Sequence, residues 1–136
     1  MIAGYAVGID FTRRDVQLEA KEKRRPWSTA KNFNDAAPVS AMVPFAALGL
    51  LHEGELTLRV NGQIRQQANL AQLIWPIPTI ICELSKFDPL QPGDLIFTGT
   101  PSGVSKVNPG DHIEGVITGL PTLILDICTG PPAPIP

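Results

Sequence analysis

GYAVGIDFTRRDVQLEAKEKRRPWSTAK, residues Gly4–Lys31, decides how the rest of the chain is read. Tyr5–Ile9 is an apolar run of strand length that stops on a carboxylate, Asp10. A helix is predicted from Thr12 to Arg24. Thr12 stands as its N-cap and Asp15 follows three positions later, the spacing of a capping box with Asp in place of Glu or Gln. Pro26 ends it. The positive end of the helix dipole then lies beside Asp10. Gln17 sits near the helix start, and Lys31 returns after the Pro26–Trp27 turn. A carboxylate, an amide and an amine gather near one strand end, where sites tend to sit. The same residues equally describe a helix-flanking acid beside a solvated surface, and spacing alone does not choose.

Outward from this stretch, the pattern predicts a mainly β chain with two short helices, an α+β class. An opening strand this apolar needs partners on both faces. The first helix has only Val16, Leu18 and Ala20 as a thin apolar component, so it is expected on the surface, held by its ends. Asn34–Asp35 suit a turn, and Pro38 and Pro44 bracket an extended run. Ala46–Glu53 reads as a loose helical turn or loop. Glu55–Gln67 is the clearest hairpin: Leu56, Leu58 and Val60 alternate with Thr57 and Arg59, and Asn61–Gly62 fits a two-residue turn of positive φ.

Ile77, Ile80, Ile81 and Leu84 fall at i, i+3, i+4 and i+7, a helix face with Pro78 in its first turn. Two similar units follow, QPGDLIFTG (Gln91–Gly99) and NPGDHIEGV (Asn108–Val116). Each predicts a Pro-Gly turn, a turn acid (Asp94 or Asp111) bonding local backbone, and then a strand. Leu123–Ile127 is a final strand. The prolines of Thr129–Pro136 remove ladder donors, so this stretch reads as an extended tail.

Composition excludes several classes. The 136 residues hold one domain at most. With 13 acids against 11 bases the net charge is −2, which gives no footprint for nucleic acid. Lys21, Lys23, Arg24 and Arg25 are interleaved with Glu19 and Glu22, as on a solvated helix end. No run of 18 apolar residues could form a spanning helix. Arg13 and Arg14 follow the first apolar stretch where a signal peptide needs bases before it. Cys82 and Cys128 stand far apart in apolar runs and read as two buried free thiols of a cytoplasmic protein. His52 and His112 show no metal-ligand spacing and are expected on loop or strand surface.

A second candidate site is Thr98–Gly103, TGTPSG. Its glycines and hydroxyls let backbone approach a carboxylate closely, though an ordinary tight turn has the same composition.

Four blocks in order, GYAVGIDFTRRDVQ, RPWSTAKNF, VNGQIRQ and PGDLIFTGTPSGV, resemble the fumarylacetoacetate hydrolase family, and most nearly its acylpyruvate hydrolase and oxaloacetate decarboxylase branch. The resemblance runs from Ala3 to about Ile127. It implies a mixed β-sandwich roll, N-terminally incomplete, with the C-terminal portion of a catalytic domain at 1–128 and a Pro-rich tail at 129–136. It implies Asp10 as a ligand of Mg2+ or Mn2+, and Gln17 as a hydrogen-bond partner of substrate or metal-bound water. Lys31 would neutralise charge near the bound oxygens and Thr100 would hold the substrate carboxylate, with Arg14 as a further substrate contact.

The implied activity is hydrolysis or decarboxylation of small keto-diacids (acylpyruvate, fumarylpyruvate or oxaloacetate) by a homodimer, through an enolate that the cation and Lys31 stabilise. The family also implies a Glu-x-Glu ligand pair ahead of the Asp10 block, and a His/Glu pair earlier still. Here the only such triplet, Glu53-Gly54-Glu55, comes after that block and does not take the role. The chain is therefore expected to carry half a site and to be weak or inactive alone. Two alternatives stand beside this. One is isomerisation of a 2-hydroxyhepta-2,4-diene-1,7-dioate-type diacid. The other is a non-catalytic β domain whose opening strand associates with a partner.

Overall fold

A computed structural model describes residues 1–129; of the expected tail at 129–136, residues 130–136 lie outside the described residues. The element order is β1 (Gly4–Tyr5), α1 (Arg14–Glu22), α2 (Ser28–Lys31), β2 (Val43–Pro44), α3 (Phe45–Leu48), β3 (Glu55–Val60), β4 (Gln63–Asn69), a 3-10 turn (Leu70–Gln72), α4 (Ile77–Leu84), β5 (His112–Ile117) and β6 (Leu123–Asp126). The mixed β-rich architecture is as expected. The two expected helices are joined by two further single-turn ones.

The main sheet is antiparallel throughout, in the order β4-β3-β5-β6. Its hairpin forms as the sequence predicts. Asn61 and Gly62 take φ of 52° and 77°, the double positive turn that keeps the twist of the two strands. Asn61 also accepts the His112 N–H and donates to the Asp111 carboxylate, so the turn ties β5 to the hairpin. Val60, Ile113, Gly115 and Leu123 are buried on one face of the sheet. Val7 packs there: a Cβ on Gly115 would lie 3.2 Å from Val7 Cγ1. Opposite Leu58 and Arg59 the register skips Arg65, a β-bulge in β4.

The opening segment pairs with residues 36–45. Beyond β1–β2, an isolated bridge joins Gly8 to Val39, and Ile9 and Phe11 donate to the carbonyls of Pro38 and Ala36. The expected strand Tyr5–Ile9 is thus a broken ladder. Pro38 and Pro44 cannot donate, so the ladder is interrupted where they stand. α1 starts two residues later than expected. Arg13 occupies the N-cap with no side-chain cap, since a guanidinium has no acceptor, and its backbone N–H is bonded to the Ala30 carbonyl of α2.

Both Pro-Gly turns form. Asp94 Oδ2 accepts from Gln91 N and Asp111 Oδ2 from Asn108 N, the local bonding expected of turn acids. Their continuations differ. His112–Ile117 finds β3, whereas Leu95–Phe97 forms no strand, because no neighbour among the described residues offers it a ladder. Cys82 and Cys128 are exposed, correcting the expected buried thiols. The helix bearing Cys82 has no fully buried residue, and Cys128 follows the last strand.

Candidate functional site

Lys31 Nζ lies 2.7 Å from Asp10 Oδ2. Asp10 is positioned by the extended segment that ends at Phe11. Lys31 is the last residue of α2, a turn held by the Trp27 carbonyl, which accepts from both Ala30 and Lys31. The Arg13 N–H to the Ala30 carbonyl stitches the two together, and the Arg13 guanidinium stacks 4.5 Å above the Phe33 ring. Both side chains of the ion pair are more than one-third exposed, at 36% and 40%, so the pair contributes at most about 1 kcal/mol. It works as a positioning contact more than as a source of stability.

One helical turn on, Gln17 is buried, the one buried polar residue among those described. Arg14 Nη1 donates to Gln17 Oε1 at 2.7 Å, which leaves the amide N–H2 as the free end of that side chain. Ala20, also buried, lies on the same side one turn later.

The TGTPSG turn is held against the bulge of β4. Gln66 Nε2 donates to the Pro101 carbonyl at 2.8 Å. Gly103 has φ of 101°, and a Cβ there would fall 1.9 Å from the Arg65 carbonyl oxygen. Only glycine permits that approach. Thr100 is exposed on this turn and makes no hydrogen bond to Asp10, Lys31, Arg14 or Gln17.

The structure thus forms two pairs, Asp10–Lys31 and Arg14–Gln17, and leaves Thr100 on a separate support. Two concavities among the described residues lie elsewhere, one of about 160 Å³ lined by residues including Leu51, Leu70 and Ile77, the other of about 320 Å³ between α1 and α2. Sequence reasoning missed the direct Asp10–Lys31 bond and the Gln66 and Arg65 supports of the turn. Partners 21 and 35 residues apart leave no periodic signal.

Among the described residues no three His, Cys, Asp or Glu side chains converge on a point suited to a metal ion. Asp10 offers one carboxylate, already bonded to an ammonium. That donor set by itself does not fit magnesium or manganese, which seek about six oxygens.

A family model described as "Fumarylacetoacetate (FAA) hydrolase C-terminal" matches residues 1–127. The chain belongs to the fumarylacetoacetate hydrolase family. Fumarylpyruvate hydrolase of Ralstonia sp is 45% identical over 127 residues, covering 93% of this chain and 66% of the relative. Oxaloacetate tautomerase FAHD1, mitochondrial, of Rattus norvegicus is 47% identical over 119 residues, covering 88% and 54%. The fold matches the crystal structure of fumarylpyruvate hydrolase from Pseudomonas aeruginosa in complex with Mn2+ and pyruvate, with a TM-score of 0.91 and 41% identity over 93% of this chain and 55% of that one.

The chain therefore spans about half to two thirds of the length of the family members it matches. The expectation of a cytoplasmic protein is corrected by these relatives. Those from Rattus norvegicus, Homo sapiens and Dictyostelium discoideum are named as mitochondrial. Compartment leaves no mark on the core or on a site, so the composition argument had no hold on it.

Proposed function

We propose that this chain supplies the Asp10–Lys31 side of a divalent-cation-dependent site acting on small keto-diacids, such as acylpyruvates, fumarylpyruvate or oxaloacetate, by C–C bond hydrolysis or decarboxylation. The observation that carries the proposal is Lys31 Nζ on Asp10 Oδ2 at 2.7 Å, at the end of the opening extended segment of a chain similar to a hydrolase crystallised with Mn2+ and pyruvate. In this reading the Lys31 ammonium offsets the negative charge that builds on the keto-acid oxygens as the bond breaks. Gln17 donates its free amide N–H to the substrate from a buried position that Arg14 fixes. Thr100 receives the far carboxylate on a turn whose backbone N–H groups can also approach it.

Mg2+ or Mn2+, when bound, would polarise the same oxygens. The remaining donors come from outside this chain, since Asp10 is a single carboxylate. The reading takes residues 1–128 as the catalytic portion, followed by the tail, and a homodimer as the assembly. Alone, the chain turns over weakly or not at all. The test follows oxaloacetate and acetylpyruvate loss with Mg2+ or Mn2+ by NMR, for the chain and for Asp10→Asn. Turnover matching an intact family member would refute the half-site, and activity surviving in Asp10→Asn would refute the role of Asp10.

Isomerisation is the second reading, favoured by the relatives named as oxaloacetate tautomerases. It uses the same charge stabilisation without a hydrolytic water. Interconversion of keto and enol forms, or of a hydroxyheptadienedioate, with no carbon lost would identify it.

A further inference from the structure

Arg13 and Arg14 are adjacent and basic, yet they have different partners. The Arg14 guanidinium donates to Gln17 on its own helix. The Arg13 guanidinium lies 4.5 Å over the Phe33 ring, beyond the end of α2. Among the described residues it makes no ion pair. Its side chain is spent on the ring.

That contact falls on the segment that carries Lys31. α2 is a single turn, Ser28–Lys31, with no side-chain cap. So short a helix does not hold itself, and its last residue is the one that frays. Its placement comes from the residues that follow Asp10. The Arg13 N–H reaches the Ala30 carbonyl at 3.0 Å, just before Lys31. The Arg13 guanidinium reaches Phe33, just after it. Ala36 N–H closes a turn onto the Phe33 carbonyl, and the Phe11 N–H takes the Ala36 carbonyl at 2.8 Å. Ala30 and Ala36 are buried, so both backbone anchors are shielded from water.

The ring stack is the hold closest to Lys31 on its far side. Asn32, between Lys31 and Phe33, is exposed and leaves the helix with φ of −102° and ψ of 83°. Without the stack, Lys31 would stand at the loose end of one turn. A lysine side chain also loses much rotamer freedom when its ammonium is held in one place. A backbone fixed on both sides lowers that cost.

We propose that Arg13 and Phe33 are positioning residues for Lys31, their guanidinium–ring stack fixing the end of α2 so that the Lys31 ammonium is delivered to Asp10. The part this plays in catalysis rests on the function proposed above, whereas the stack and its effect on Lys31 rest on the geometry of residues 10–36. A cation over a ring at a partly exposed surface shifts an equilibrium by about two- to five-fold, enough to govern a pair as exposed as Asp10 and Lys31.

The reactivity of the Lys31 amine tests this. An ammonium bonded to a carboxylate meets an amine reagent less often than a free one. The chain is labelled by trace reductive methylation, and the rate at Lys31 is read by mass spectrometry. Arg13→Met keeps the stem and the backbone N–H and removes the charge, so Lys31 labelling should rise about two- to five-fold. Phe33→Leu removes the ring and should do the same, while Phe33→Tyr keeps the ring face and should leave the rate as it is. In Asp10→Ala the contact is already lost, and Arg13→Met should add no further rise, a non-additivity that general loosening would not produce. Amide exchange at buried Ile113 in the main sheet reports that each variant keeps its fold. Unchanged Lys31 labelling in Arg13→Met and Phe33→Leu would overturn the proposal, as would a rise that persists in full in Asp10→Ala. The expected labelling, with Mn2+ binding that ignores Asp10→Asn, would uphold the positioning and fault the catalytic reading instead.

Discussion

Lys31 Nζ sits on Asp10 Oδ2 at 2.7 Å, across 21 residues of chain, and occupies the carboxylate that a cation would need. Asp10 alone holds Mn2+ only weakly, so Asp10→Asn should remove that weak binding, measured by the EPR signal of free Mn2+. Lys31→Met removes the competing ammonium and should raise it, by up to about five-fold if the exposed pair is worth at most about 1 kcal/mol. Unchanged affinity in both variants would remove Asp10 from the site.

Gly103 has no room for a side chain. Its Cβ would meet the Arg65 carbonyl at 1.9 Å, at a φ of 101° that L residues rarely adopt. Gly103→Ala is expected to cost about 1–3 kcal/mol or more in urea unfolding. It should also expose the Thr98–Gly103 turn to proteolysis. Gly93, where a Cβ meets nothing, is the control for positive φ without the clash.

Among the described residues Ile113 is the largest side chain that is fully buried, and a handful of other hydrophobic residues are buried with it. Ile113→Ala should cost about 2–5 kcal/mol. With so small a core, that loss should leave the lone chain substantially unfolded by circular dichroism. A loss under about 1 kcal/mol would mean that the β3-β5-β6 face is not the seat of stability.

His112 Nδ1 lies 2.7 Å from Asp126 Oδ1 across the β5–β6 pair. The hydrogen bond to Asp126 is the main cause that raises the imidazole above its usual 6.5. A raised folded-state value means that the stabilisation is complete below about pH 6.5 and fades as pH rises through the higher folded value. The urea midpoint should therefore fall between pH 6 and 8, and Asp126→Asn should flatten that slope. At the acid end the Asp111 carboxyl, lowered chiefly by the Asn108 backbone N–H and then by Asn61, contributes above 3.8. That contribution disappears as pH falls through its lower folded value.

Local chemistry was legible in the residues themselves. Asn61–Gly62 allows few turns other than the one observed, and the Pro-Gly-Asp units announce theirs through φ and a short carboxylate. The amphipathic spacing of Ile77–Leu84 gives a helix even where little packs on it, because periodicity specifies the element without saying what covers it. Leu95–Phe97 marks the limit. It has the same local grammar as His112–Ile117, but a strand exists only when a neighbour completes the ladder, and the described chain offers none.

By itself, then, the sequence settled the turns, the presence of the hairpin, the helix spanning Ile77–Leu84 and the family, since these rest on φ preferences, short-range spacing and the order of blocks. Tertiary structure alone decided that Lys31 bonds Asp10, that the Arg65 bulge receives Gly103, and that Arg13 stacks on Phe33. Each of those depends on atoms brought together from distant parts of the chain, where no periodicity links the partners.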